Sequence, residues 1–206
     1  MKKLMIIAVF FILGISETSA QVTFTPGIRG GLNLATVGQT DGDFTPDFYV
    51  GAFGAINFTK RYTMQPEINY SRQGADNVRV EYYDEFNGNY VNGRQDISLD
   101  YLSLSLMNKF FVVEGFHLMV GPTFDILLND NLVYSYNDVD LGVNAGLGYR
   151  FPNGLSVEAR FKKGIIDVLD TGYYSGNNYF WGDWNANNVI QVGVSYAFNL
   201  KKSKKE

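Results

Sequence analysis

The feature that most constrains this chain is an alternation of apolar and polar residues with a period of two, running through almost its whole length with no helical stripe to compete. Near the C-terminus, Ile190, Val192, Val194, Tyr196 and Phe198 fall on one face, and Gln191, Gly193, Ser195 and Ala197 on the other. The same split recurs for Leu155, Val157, Ala159 and Phe161 against Ser156, Glu158, Arg160 and Lys162. It recurs again for Leu141, Val143, Ala145, Leu147 and Tyr149 against a row of Gly, Asp and Asn. Further upstream the apolar sets are Leu118, Val120, Phe124, Ile126 and Leu128; Leu102, Leu104 and Leu106; and Tyr62, Met64, Ile68 and Tyr70. Two opening strands, Phe48 to Thr59 and Gly27 to Ala35, bring the expected total to eight.

The spacing between these segments alternates between short and long. Lys60-Arg61, Val113 to Gly115 and Phe151 to Gly154 are expected tight turns, the last carrying Pro-Asn-Gly. Val37 to Pro46, Gln73 to Gln95, Asn129 to Asp138 and Lys163 to Asn187 are expected long loops. An even number of strands with short turns on one side and long loops on the other is what an outer-membrane barrel of a Gram-negative cell requires. A soluble barrel is the rival reading, because alternation alone does not say whether the apolar face meets lipid or a core. Aromatics at strand ends (Phe48, Phe58, Tyr62, Tyr70, Phe110, Phe116, Phe161, Tyr196, Phe198) favour lipid, since they form interfacial girdles. The expected fold class is therefore all-β: an eight-stranded, up-and-down antiparallel transmembrane β-barrel. Pro66 and Pro122 fall inside strands of a sheet that has no edge, and β-bulges are the expected accommodation.

The ends complete the topology. Lys2 and Lys3, an apolar run from Leu4 to Ile15 and the small-residue site Thr18-Ser19-Ala20 have the order of a secretory signal, so cleavage is expected before Gln21. The expected organisation is a signal peptide at 1–20, a single barrel domain at 21–198 and a Lys-rich tail at 199–206. The tail and both termini are expected on the periplasmic, short-turn side. No cysteine is present, so neither an N-terminal lipid anchor nor a disulfide is expected. A net charge of −4 argues against a nucleic-acid partner, because phosphate binding needs a basic surface.

Several motifs, taken in order, resemble the PorT-like outer-membrane β-barrel proteins of Bacteroidetes, small barrels of the OmpX-like kind. They are Gly30-Gly31-Leu32-Asn33, Gln65 through Gly74 (QPEINYSRQG), Asp100 through Leu106 (DYLSLSL), Val120-Gly121-Pro122 and Gly146-Leu147-Gly148-Tyr149. The resemblance implies an outer-membrane, porin-family type of barrel and a possible link to protein secretion, without an assigned activity. Gln191, Gly193, Tyr196 and Phe198 also resemble the C-terminal pattern read by the barrel assembly machinery, although Asn199 to Glu206 follow it.

The candidate functional residues divide into an interior set and a loop set. The polar face supplies Arg29, Glu67, Lys109, Asp125, Asp140, Glu158, Arg160 and Lys162, expected to form ion pairs across a lumen that eight strands leave only wide enough for side chains. Glu67 is expected to meet Lys109. Aromatics among Asn, Gly and Asp in the loops supply stacking and hydrogen bonding together, a composition suited to recognition. They are Tyr82, Tyr83, Phe86 and Tyr90 in one loop, and Tyr173, Tyr174, Tyr179, Phe180, Trp181 and Trp184 in the last.

Catalytic, metal and cofactor residues are not identified. His117, the one histidine, sits beside a short turn with no serine and carboxylate arranged around it in sequence. Asp41, Asp43 and Asp47 lack the spacing of a calcium loop and are read as solvated acids that could share divalent cations with lipopolysaccharide. The expected function is a non-enzymatic barrel that presents loops to an extracellular or secretion-system protein, with outer-membrane lipid and lipopolysaccharide as surroundings. The alternative is a small-solute pore or a lipid-modifying enzyme.

Overall fold

The computed structural model describes residues 22–38, 40–84, 88–132, 137–166, 168 and 186–198, with the backbone alone at 80–84 and 90–92. Eight strands follow in order: β1 Thr23–Val37, β2 Thr45–Asn57, β3 Tyr62–Asp84, β4 Asn89–Phe111, β5 Phe116–Asp130, β6 Val139–Arg150, β7 Leu155–Gly164 and β8 Asn187–Ala197. Each pairs antiparallel with the next, and β8 returns to β1 from Gly27↔Ala197 to Val37↔Asn187, so the sheet closes on itself. Closure leaves no strand edge within the membrane, where an unpaired peptide group costs several kcal/mol.

The alternation sets the two faces. Ile28, Leu32, Val50, Ile68, Leu104, Leu118, Val143, Leu147, Val192 and Val194 point outward and are each more than a third exposed. An apolar band of this extent has no stable place in water, so it faces lipid. Aromatic rings border it. Phe58, Tyr62 and Phe110 follow one another at the turn end with centroids 5.6 and 5.4 Å apart, and Tyr149–Phe151 and Tyr196–Phe198 continue the girdle at 5.0 and 5.6 Å. At the opposite end Phe48 meets Tyr70 at 6.0 Å. From Tyr62 to Tyr70 along β3 is about 26 Å of strand, or roughly 20 Å of membrane depth at the usual tilt.

Short turns are built from local hydrogen bonds. The Thr59 hydroxyl accepts from the Arg61 and Tyr62 amides at 3.1 and 2.9 Å. In Pro152-Asn153-Gly154, the Asn153 side chain accepts from the Leu155 amide at 3.1 Å, and Gly154 takes φ +90°, a value that a Cβ would penalise.

Two expectations about the strands need correction. The two prolines do not sit at bulges. Pairing of β2 with β3 skips Gly54 and Ala55 opposite Pro66 and Gln65, and pairing of β4 with β5 skips Leu106 and Met107 opposite Pro122 and Gly121, with the register unchanged on either side. The missing proline N–H is absorbed as a local gap in one ladder, while the other ladder (Pro66↔Leu106, Pro122↔Val143) runs on. The register shifts fall elsewhere, between Ala75 and Val78 in β3 and between Asp100 and Tyr101 in the β4–β5 pair.

Gln73 to Gln95 is not a long loop. β3 and β4 stay paired out to Asp84↔Asn89, well beyond their neighbours, as a hairpin that rises from the barrel rim. Its faces are the reverse of those in the membrane. Arg72, Ser98 and Asp100 are outward and polar, whereas Ala75, Val78, Ile97, Leu99 and Tyr101 are buried inward. The extra residue between Ala75 and Val78 keeps both facing inward, and Asn77 at that bulge takes φ +60°, which asparagine tolerates.

Backbone room inside the ring decides which side chains fit. A Cβ at Gly193 would strike the Tyr49 hydroxyl and the Gly30 carbonyl. Tyr49 is itself buried in the lumen, with the Arg29 guanidinium 4.6 Å above its ring. Gly193→Val should therefore overpack the wall by about 1–3 kcal/mol. The unboiled, fast-migrating gel band should weaken and the urea midpoint should fall. Adding Tyr49→Phe should recover part of that loss, since it removes one of the two atoms struck.

Candidate functional site in the barrel interior

Inward positions of all eight strands converge on a lumen filled by side chains. Arg29, Glu67, Lys109, Asp125, Asp140, Glu158, Arg160 and Lys162 are each at most 4% exposed. Four are cations and four carboxylates, so this interior balances its charge.

The larger cluster lies towards the turn end. The Glu67 carboxylate accepts from the Arg29 guanidinium and, through both oxygens, from Arg160 at 2.8 and 2.9 Å. Arg160 also donates to Glu158 at 2.6 Å, and Lys109 donates to the other Glu158 oxygen at 2.5 Å. The Gln65 amide adds a bond to Glu67 at 2.8 Å. The forked pairing of Arg160 with Glu67 links β7 to β3 across the lumen, and a fork of this kind fixes orientation as well as charge.

Lys109 therefore takes Glu158 as its partner and not the expected Glu67. Thr63, not Glu67, stands opposite Lys109 in the β3–β4 register, and Glu67 stands opposite Ser105. Glu67 is thus four residues, about 13 Å, further along β3. Sequence position above a turn does not carry that information, because the partner comes from across the ring.

A second cluster lies further out. Lys162 pairs with Asp125 and donates to the Gln73 amide oxygen at 3.2 Å, while the Thr123 hydroxyl donates to the other Asp125 oxygen at 3.1 Å. Asp140 belongs to neither cluster. It accepts from the Asn187 amide at 3.2 Å, and Asn187 also donates to the Tyr101 hydroxyl at 3.2 Å. Between the charged clusters Asn33 is bonded to Ser71 at 3.0 Å and accepts from Gln191 at 3.0 Å.

Beyond Asp140 the lumen turns apolar. Val37, Ala75, Val78, Ile97, Leu99, Tyr101 and Val168 form a buried cluster with Leu127 and Leu132 packed against it. This cap escaped sequence reasoning, although Ile97, Leu99 and Tyr101 alternate on the lumen side of β4. Polar ties hold segments at the base of the hairpin. Asp41 accepts from the Arg79 amide at 3.1 Å and pairs with Arg94 at 3.4 Å. Asp43 and Asp76 exchange backbone bonds at 2.8 and 3.1 Å. Asn131 bonds the β4 backbone at both Asp96 (2.8 Å) and Ser98 (2.9 Å), as a neighbouring strand would. Asp47 pairs with Arg72 at 3.4 Å. Among the described residues no cluster suited to a metal ion is found.

His117 is fully buried at the turn end, with Nδ1 3.2 Å from the Gly115 carbonyl and Nε2 3.7 Å from Glu158. No serine hydroxyl is among these contacts. Of the residues resembling an assembly signal, Gln191 and Gly193 face the lumen, while Tyr196 and Phe198 pair in the girdle. Of the loop aromatics, Tyr82, Tyr83 and Tyr90 lie on the hairpin strands, with side chains outside the described residues. Phe86, Tyr173, Tyr174, Tyr179, Phe180, Trp181 and Trp184 lie outside the described residues altogether, as do 1–21 and 199–206.

Residues 19–170 match the family model described as an outer membrane protein beta-barrel domain. The search of curated proteins found no match. Among solved structures, neisserial surface protein A (NspA) is similar at a TM-score of 0.52 and 12% identity, covering 86% of this chain and 99% of its own. The outer membrane protein AlkL follows at 0.48 and 11%, covering 92% and 97%. Ail, the attachment invasion locus protein of Yersinia pestis, is at 0.46 and 11%, covering 84% and 98%. The likeness to NspA is one of fold.

Glu67 is the residue on which the larger cluster depends, because it neutralises two guanidinium groups that have no access to solvent. Glu67→Gln should cost about 3–5 kcal/mol in urea unfolding from lipid vesicles, the usual penalty for leaving a buried charge unpaired. Glu67→Gln with Arg29→Gln should cost less than the sum of the two single changes. Asp140→Asn should cost much less than Glu67→Gln, since an amide oxygen still accepts from Asn187.

Proposed function

The chain belongs to the outer membrane protein beta-barrel domain family, and from that premise we propose that it is a non-enzymatic, plugged barrel whose β3–β4 hairpin and outer loops dock a protein partner. The observation that carries this reading is the reversal of faces above Arg72 and Asp100, where the hairpin turns its apolar residues inward onto a core that it shares with Val37, Leu127, Leu132 and Val168. A turn that merely joins two strands needs no such core. A hydrophobic centre with both flanks tied by Asp41 and Asn131 makes a stable platform above the lipid. The tyrosines at 82, 83 and 90 stand on that platform, and Tyr173, Tyr174, Trp181 and Trp184 belong to the long segment after β7. Amphipathic rings of this kind give contact area with little loss of conformational entropy.

The resemblance to PorT-like proteins of Bacteroidetes supports a partner in protein secretion, whose role is to hold or orient a component at the outer face. The short turns and both termini then face the periplasm, where the tail is solvated. Residues 1–20 act as the cleaved export signal, and Gln191, Gly193, Tyr196 and Phe198 engage the assembly machinery. Ion pairs spanning the lumen and the apolar cap speak against the alternative of a solute pore.

Three measurements test this. Purified protein in planar bilayers should conduct no more than leak, and steady single-channel steps would overturn the plugged reading. Crosslinking and pull-down from gently solubilised outer membranes should recover a partner. That partner should be lost when the tip beyond Val80 is replaced by a two-residue Asn-Gly turn joining Val80 to Gly93, which are cross-strand partners, or when Gly172 to Ala186 is shortened. A partner set unchanged by both trims would overturn the docking role. N-terminal sequencing of the mature protein should begin at Gln21.

A further inference from the structure

We propose that the turn end of the lumen is an anion-binding vestibule, in which Arg150 holds the carboxylate or phosphate end of a ligand. That this end opens to the periplasm rests on the orientation given above; the site itself does not.

Two cavities of about 310 and 470 Å³ open there, and both are lined by Phe111 and Arg150. The lining is otherwise rich in neutral hydrogen-bonding groups from inward strand positions, among them Thr23, Thr25, Asn57 and Thr63. Arg150 differs from the cations deeper in the lumen. Arg29, Lys109, Arg160 and Lys162 each pair with a carboxylate. The Arg150 guanidinium makes no ion pair within 4 Å among the described residues, and Glu158, already held by Lys109 and Arg160, acts on it only from further off. It lies 4.7 Å over the Phe111 ring, whose far neighbour is His117 at 5.0 Å.

A half-buried cation with no anion in direct contact is costly unless something supplies one. Stacking on Phe111 leaves the fork of N–H donors held and weakly hydrated, the state in which arginine binds planar or tetrahedral oxyanions best. Lys60 adds a second positive charge on the rim of the smaller cavity, and Glu114 adds a negative one on the rim of the larger. That pairing selects a singly charged group presented end-on and disfavours a polyanion. The same chemistry could come from a soluble ligand with a terminal carboxylate or phosphate, or from a phospholipid headgroup of the inner leaflet.

The test uses the mature protein in nanodiscs of zwitterionic lipid and follows the Gly115 and Gly154 amides by NMR, since both line the larger cavity. Inorganic phosphate and N-acetyl-alanyl-alanine are titrated as probes, with the C-terminally amidated dipeptide as the uncharged control. Saturable shifts are expected with the first two and not with the third. Arg150→Gln should weaken binding roughly tenfold or more, the scale of losing a charge-assisted pair of hydrogen bonds. Arg150→Lys should fall between, and Glu114→Gln should tighten binding. Retention of heat-modifiable gel mobility shows that each variant is folded. Should Arg150→Gln not fold, Arg150→Lys and Glu114→Gln carry the test in opposite directions. If nanodiscs containing phosphatidylglycerol alone produce the Arg150-dependent shifts, the site stands and its ligand is a headgroup. Absence of saturation with every probe and lipid, or equal affinity in all folded variants, overturns the proposal. Orientation is read separately by labelling Lys60→Cys in intact cells, which is clean because the chain has no cysteine; either result there leaves the nanodisc outcome unchanged.

Discussion

Everything in this structure follows from the demand that peptide groups in lipid be bonded to one another. A sheet meets it only by closing, and β8 against β1 supplies the closure. Eight strands then enclose a space just wide enough for side chains. Because outward positions must be apolar and alternation is strict, the polar residues of each strand have nowhere to go but into that space. The crowded, charged interior is a consequence of the wall.

Once confined, those charges can be tolerated only in balance. Arg29, Lys109, Arg160 and Lys162 are matched by Glu67, Asp125, Asp140 and Glu158, and seven of the eight are joined in direct ion pairs. Apart from Arg160 with Glu158, both on β7, each pair joins strands that are distant in sequence, Arg160 and Glu67 being 93 residues apart. Such pairs work as cross-struts. They resist ovalisation of the ring, and they make the loss of one partner far more damaging than the loss of the whole pair.

The strand count, the lipid-facing rows and the tight turns were legible because each depends on local pattern: Leu102, Leu104 and Leu106 alternate, and Pro152-Asn153-Gly154 is a turn wherever it stands. What was not legible depends on surroundings. The hairpin beyond Gln73 keeps its period of two, but once it leaves the membrane its outside must be polar and its inside apolar. Ile97 and Leu99 therefore bury the side that Ser103 and Ser105 occupy lower down, and the bulge before Val78 adds a phase slip. A search for one fixed polarity reads that inversion as the end of the strand. The partner of Lys109 was hidden for another reason. Register between neighbours follows from turn length, but the residue facing across the lumen follows from the stagger of the whole ring, which no single segment encodes.

The two ends of the lumen differ for the same cause. On the loop side the strands continue into water, so the fold needs a hydrophobic centre, and Val37, Ile97, Leu99 and Tyr101 provide one. On the turn side the strands stop at the girdle, and no apolar cap is found there among the described residues. There the last inward positions include Thr23, Asn57, Thr63 and Arg150, and the lumen of the described residues ends in a polar recess. Among the described residues, a barrel closed at one end by packing and ending at the other in a polar recess has an asymmetry that its charge-balanced middle does not. Any exchange with the surroundings is restricted to those ends: a shaped surface built on the hairpin, and a recess whose one stacked guanidinium has no carboxylate in direct contact among the described residues.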